Sequence, residues 1–259
     1  MNERNNIMKK ILIVGVSLLI VFSCILTSCN FAEFKDEDGV DVTTGTPAEE
    51  ETTTAVSIPE LPQELKILYS SDRSNAFFTS FLDAFCKKNQ DRSNISFEKF
   101  VYEEGSNVNA PNSGYDVYIY EGSLPEVLPS KGLCIIFDPQ SAPSGAGFSI
   151  GKKITFTSPV SLSVGESHPI LNNAISSEID IMQITEITAY DGYSQIFSLS
   201  EYPVVLASEK SFDSLNTVLF AFSLNYSNFA LIVDFPIIMS NIIEYYTSTD
   251  AAENLAKKR

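Results

Sequence analysis

The chain is poor in the residues that most enzyme centres are built from. It has a single histidine, His168, and four cysteines, Cys24, Cys29, Cys86 and Cys134. No GxSxG, HExxH or CxxC pattern occurs, so the usual serine-hydrolase, zinc-protease and dithiol signatures are missing. Base is scarce too: 17 Lys and Arg stand against 33 Asp and Glu, for a net charge of −16. No basic stripe is available to meet phosphates, which argues against a nucleic-acid partner. The Gly-containing stretch Ser141 to Gly147 has neither the spacing nor the lysine of a phosphate loop and reads as a plain loop. No internal repeat of useful length is visible.

Long apolar runs are also scarce, with one exception. Ile11 to Leu26 is a run of 16 residues, preceded by Arg4, Lys9 and Lys10 against the single acid Glu3. A spanning helix needs about 20 apolar residues and a signal core roughly 7 to 15. The end of the run favours a signal. Leu26-Thr27-Ser28-Cys29 has the shape of a lipobox, an apolar residue and two small ones before a cysteine. Cys24 also comes after a serine, but bulky Phe22 stands two places before it. The expectation is a lipoprotein signal over residues 1–28, lipid on Cys29, and a mature chain held at the outer face of the cell membrane. The opposite reading is an uncleaved signal anchor with an incidental cysteine.

Residues 29–60 read as a disordered acidic tether. From residue 30 it carries nine acids and one base, Lys35, and few large apolar groups, too little to offset the entropy of ordering. Self-repulsion would keep it extended and lift a domain off the membrane. Residues 61–248 then hold an ordinary share of apolar residues for one folded domain, and 249–259 form a polar tail. Cys86 and Cys134 both sit in apolar patterns, which points to free thiols in the core rather than a disulfide.

Within the domain, Leu65 to Tyr69 reads as a strand. Ala76 to Lys88 places Phe77, Phe78, Phe81, Leu82, Phe85 and Cys86 at helical spacing. Strands are expected over Ile95 to Tyr102, Tyr115 to Tyr120 and Leu133 to Phe137, the last apolar throughout, as in a strand buried on both faces. Later strands fall over Lys153 to Thr157 at an edge, Ile179 to Ala189, Pro203 to Ala207 and Thr217 to Phe222. A closing helix spans Pro236 to Tyr246. One early and one late helix among so many strands predict an α/β domain on a mainly parallel sheet, with a second half that is β-rich or partly antiparallel.

Several phrases resemble a known family in order and spacing. Tyr115-Asp116-Val117-Tyr118-Ile119-Tyr120-Glu121-Gly122-Ser123-Leu124-Pro125, then Leu128-Pro129, resembles the "YDLVIFDG-x-LP-x-x-LP" stretch of large bacterial von Willebrand factor A (Bat-type) membrane proteins that carry a class I glutamine-amidotransferase-like domain. Phe137-Asp138-Pro139, His168-Pro169-Ile170-Leu171, Phe222 to Asn228 and Asp234 to Tyr245 resemble later phrases of the same domain. The match runs over roughly residues 65–246. It implies a flavodoxin-like, class I amidotransferase-like sheet. It does not imply the activity. The amidotransferase nucleophile is a cysteine on a tight strand-to-helix turn, and this chain has Asp138-Pro139 there. Cys134 lies inside the strand, and His168 reads as a loop-fixing or surface residue, so no catalytic residue is expected. The chain also departs from its likenesses in having no separate von Willebrand domain. It is expected to be a single module with its own anchor, or a fragment of a gene.

Two further constellations stand out. Asp72-Arg73-Ser74-Asn75-Ala76 approaches the Asp-x-Ser-x-Ser metal-adhesion motif, but Ala76 removes the second serine, and helix capping by Ser71, Asp72 or Ser74 accounts for these residues without a metal. Asp72, Glu121 and Asp138 each fall near the carboxyl end of a strand, where open α/β sheets bind ligands, and would form a small acidic cleft there. The plainer reading is loop acids facing solvent. The functional expectation is a non-catalytic, lipid-anchored interaction or sensing module that needs no metal or cofactor and meets other envelope proteins, von Willebrand-type ones among them. The alternatives are a solute-binding lipoprotein and a degenerate hydrolase.

Overall fold

The computed structural model describes residues 60–72, 75–103, 109–174 and 178–248. Cys29, the apolar run, nearly all of the acidic tether and the polar tail lie outside them.

The chain opens with β1 (Glu64–Ser71), α1 (Ala76–Lys88), β2 (Asn94–Val101), β3 (Val117–Glu121) and β4 (Gly132–Phe137). The second half adds β5 (Phe148–Ser161), β6 (Ser163–Val164), β7 (Asp180–Ala189), β8 (Tyr193–Leu199), β9 (Tyr202–Ser208), β10 (Leu215–Phe220) and α2 (Asp234–Thr247). One eight-stranded sheet runs β2-β1-β3-β4-β10-β9-β8-β6. Its first five strands are parallel. From β10 outward the pairing turns antiparallel. β5 and β7 form a separate antiparallel ribbon. The expected mixed α/β fold with a mainly parallel sheet and a β-rich second half is therefore what the chain adopts.

The central parallel strands β3 and β4 form where the sequence is almost continuously apolar. Leu133 to Phe137 is buried at every position, as a strand covered on both faces requires. β10 lies beside it, and Phe137 stacks on Phe220 with centroids 4.1 Å apart. Gly132 opens β4 at φ +96°, and a Cβ there would stand 2.6 Å from the Asp116 carbonyl oxygen. Only glycine lets β4 start that close to β3.

Both helices pack on one face. Phe78 of α1 meets Tyr69, Phe137 and Phe235 at 5.0, 5.0 and 5.9 Å. Phe235 of α2 also meets Phe81 and Phe229. Rings from α1, β1, β4, β10 and α2 thus share one aromatic cluster. On the other face Tyr118 and Tyr120 stack, and the Tyr120 hydroxyl donates to the Pro111 carbonyl, which ties down the loop before β3.

Some boundaries differ from the sequence reading. α1 is capped by Asn75, whose side-chain oxygen accepts from the Phe77 amide at 3.0 Å, and not by Ser71 or Asp72; Ser74 lies outside the described residues. Ser71 ends β1 and turns to Glu121 instead. α2 begins at Asp234, two residues before Pro236, because the first-turn amides of a helix need no intrahelical partner and proline costs nothing there. β5 runs far past the expected Lys153 to Thr157. β6 and β8 have no counterpart in the sequence reading.

Candidate functional site

The strand order sets where a ligand would be met. The chain leaves β1 for β2 on one side and returns to β3 on the other, so the order reverses between β1 and β3. The crevice outside the carboxyl ends at such a point is the usual ligand position of open α/β sheets. Asp72, Glu121 and Asp138 all lie along this edge.

Glu121, the last residue of β3, is only 3% exposed. Its Oε2 accepts from the Tyr69 hydroxyl at 2.9 Å and the Ser71 hydroxyl at 3.2 Å, and its Oε1 from the Asn75 amide at 3.4 Å. One carboxylate therefore joins the ends of β1 and β3 to the cap of α1. Burial, followed by the nearby Glu121 charge, pushes the Tyr69 phenol well above its ordinary range. Tyr69 is thus a donor fixed in its neutral form. Tyr102 roofs the same corner, accepting from the Ser123 amide at 3.1 Å. Burial raises its phenol as well. Asp72 is half-buried and lies over Gly122, whose φ of +86° and missing side chain leave the carboxylate 3.9 Å from where a Cβ would be.

Asp138 comes directly after β4 at φ +45°, the left-handed region that asparagine and aspartate tolerate better than most. It is 8% exposed. Its Oδ1 accepts from the Thr185 hydroxyl at 2.7 Å. Its Oδ2 faces the Lys153 ammonium at 3.0 Å and the Gln140 amide at 3.2 Å. Lys153 comes from β5 and Thr185 from β7, so this side chain fastens the ribbon to the end of the parallel sheet. The two buried acids sit on adjacent strand ends. Glu121 pairs with Phe137 in register, and the Gly122 amide donates to the Phe137 carbonyl at 2.9 Å.

The edge therefore brings the three acids to neighbouring positions but uses them in different ways. Glu121 and Asp138 are buried and hydrogen-bonded rather than loop acids in solvent. Only Asp72 reaches the surface. Among the described residues, no three His, Cys, Asp or Glu side chains converge to hold a metal ion. The sequence reading misses the partners Tyr69, Ser71, Asn75, Lys153 and Thr185. A tyrosine at the inward position of an apolar strand is the available signal, since its buried hydroxyl must find a partner.

The thiols and the imidazole are placed elsewhere. Cys134 is fully buried inside β4, and burial pushes its thiol far up. Cys86 on α1 is half-buried, its thiol raised by burial and by Asp83. Both are free. His168 is a loop-fixing residue: its Nδ1 accepts from the Ile170 amide at 3.3 Å and caps the turn Pro169–Leu171, and its ring stands edge-on to Tyr245. Burial lowers its pKa below the ordinary 6.5, against the opposing pull of Glu166. Protonation would also remove the acceptor that the cap needs. The unfolded chain therefore takes up this proton at higher pH than the folded one, and stability should fall as pH drops below 6.5. Urea midpoints at pH 7.5 and 5.5 check this. His168→Asn keeps a capping oxygen and should show a smaller loss between the two pH values than the parent chain.

A hollow of about 450 Å³ lies between the helices and is lined by Phe81, Phe85, Lys88, Ile237, Asn241 and Glu244, away from the acids. No described helix is long and apolar enough to cross a membrane.

No protein-family model matches the chain, and no curated protein matches it. Solved structures do. Cytoplasmic Protein STM3548 from Salmonella typhimurium aligns with a TM-score of 0.50 at 11% identity, over 71% of this chain and 100% of that one. Cytoplasmic Protein STM1381 from Salmonella typhimurium LT2 gives 0.47 at 10%, over 71% and 100%. A ThuA-like protein from Parabacteroides merdae gives 0.41 at 11%, over 71% and 90%. At such identities the likeness is one of fold alone: this chain shares with the first of these an α/β architecture built on a large, mostly parallel sheet of the flavodoxin-like kind.

Proposed function

We propose that the chain is a non-catalytic, lipid-anchored module of the bacterial envelope, held by Cys29 and presenting its α/β domain to other envelope proteins, von Willebrand-type membrane proteins first among them. The observation that carries this reading is the turn after β4. The place where an amidotransferase-like sheet carries its nucleophile is taken by Asp138, both of whose oxygens are occupied by Thr185, Lys153 and Gln140. The thiols of Cys86 and Cys134 are raised by burial, and the His168 imidazole is spent on capping a turn. A scaffold that keeps the edge but commits its polar groups to internal bonds is suited to contact rather than turnover. The sequence phrases shared with the von Willebrand-linked proteins supply the partner class, and the lipobox supplies the address.

In-cell crosslinking of the full chain, with mass spectrometry of the captured proteins, tests the reading. Reproducible capture of a membrane protein with a von Willebrand A domain, or of its associated ATPase, is expected. Capture of transporter subunits instead would overturn it in favour of a solute receptor. Cys29→Ala should abolish labelling by a fatty-acid probe and leave unprocessed precursor; labelling at the parent level would refute the anchor.

A further inference from the structure

The opposite edge of the sheet, where the parallel strands begin, carries a hollow of about 370 Å³. Glu64 and Lys66 of β1, Asp116 just before β3, and Ser130 and Lys131 just before β4 line it, with the turn Ser113-Gly114-Tyr115 as its lip. Its walls are fixed. Asp116 Oδ2 accepts from the Lys66 amide at 2.8 Å. The Tyr115 amide donates to the Tyr118 hydroxyl at 3.2 Å, and the Tyr115 hydroxyl to Glu98 at 2.7 Å. The Gly132 contact locks the β4 side in place.

The hollow brings both signs of charge together. The molecule carries a large acidic excess, yet neither the Lys66 nor the Lys131 ammonium forms an ion pair with a carboxylate among the described residues. Two lysines, Lys66 and Lys131, and two acids, Glu64 and Asp116, line the same hollow. Their charges cancel, so the hollow favours neither an anion nor a cation on net charge. It suits a molecule that carries both signs on one short frame. The volume leaves room for such a ligand.

We propose that this hollow binds a small zwitterion, an amino acid or dipeptide, with its carboxylate on Lys66 and Lys131 and its ammonium toward Glu64. The site lies across the sheet from the Glu121 and Asp138 edge and goes beyond the interaction role of the module. Its failure would leave the crosslinking result untouched.

The test uses the purified full chain in detergent. L-alanine, L-aspartate, L-lysine and alanyl-alanine are the probes. N-acetyl-alanine and alanine methyl ester, each with one charge removed, are controls, together with inorganic phosphate. At least one zwitterion should raise the melting temperature, as a ligand selective for the folded state must. The single-charge controls and phosphate should not. Lys131→Met removes an exposed side chain without touching the core and should weaken binding about tenfold, and Glu64→Gln should weaken it through the ammonium end. The proposal is overturned if no zwitterion binds at roughly 10 mM. Equal binding of a single-charge control or of phosphate overturns it too, as does unchanged affinity in both variants.

Discussion

Phe78→Ala should lower the unfolding free energy by about 3 to 5 kcal/mol, the usual cost of emptying a buried phenylalanine site. Phe78 is wholly buried, and its ring touches rings from β1, β4 and α2. The cavity would open where both helices meet the parallel sheet. Its lining comes from rigid strands and two helix starts, which cannot all collapse inward together. Phe77, the adjacent residue, is 43% exposed, and Phe77→Ala should cost less than about 0.5 kcal/mol. Urea unfolding of the two variants side by side gives the comparison. Similar midpoints would mean that the aromatic cluster does not join the helices to the sheet.

Glu121→Ala should be nearly as damaging, by about 3 kcal/mol or more, for a different reason. It leaves the Tyr69, Ser71 and Asn75 donors facing an empty corner, and an unsatisfied buried donor costs about 1 to 3 kcal/mol. The Tyr69 hydroxyl is held in place because its ring packs against Phe78. Glu121→Gln keeps an oxygen for Tyr69 and Ser71 but sets an amide donor against that of Asn75, and should cost about 1 to 2 kcal/mol. The ordering, alanine worse than glutamine, would show that the carboxylate organises the crevice between β1 and β3 rather than merely filling it. Equal losses in the two variants would remove that role.

The parts of the fold that are legible in the sequence are those where one periodicity dominates. α1 is readable at both ends because Phe78, Phe81, Leu82 and Phe85 recur at helical spacing behind a run of turn residues. β3 and β4 are readable because strands buried on both faces are apolar at nearly every position, and β1 and β10 through the short apolar runs Ile67-Leu68-Tyr69 and Val218-Leu219-Phe220. β8 is not. Only Ile196 and Phe197 at its centre are buried, and its serines and glutamine look like loop. β5 reads too short because Gly151, Lys152 and Lys153 break the alternation where the strand is most exposed. At the site, the positions of Glu121 and Asp138 at strand ends can be read from the sequence. Their burial cannot, because it depends on partners 15 to 52 residues away along the chain.

The place of β10 has a consequence for how the molecule is made. The strand that completes the parallel half is the last of the described strands in chain order, yet it sits in the middle of the sheet, between β4 and β9. Until it arrives, β4 presents an open backbone edge on an entirely apolar strand, and β9 faces the same gap from the other side. The nascent chain thus carries a long interval in which its stickiest edge has no native partner, and self-association competes with folding. Assembly must wait for a contact between residues 132–137 and 215–220, and the loop it closes makes that wait slow.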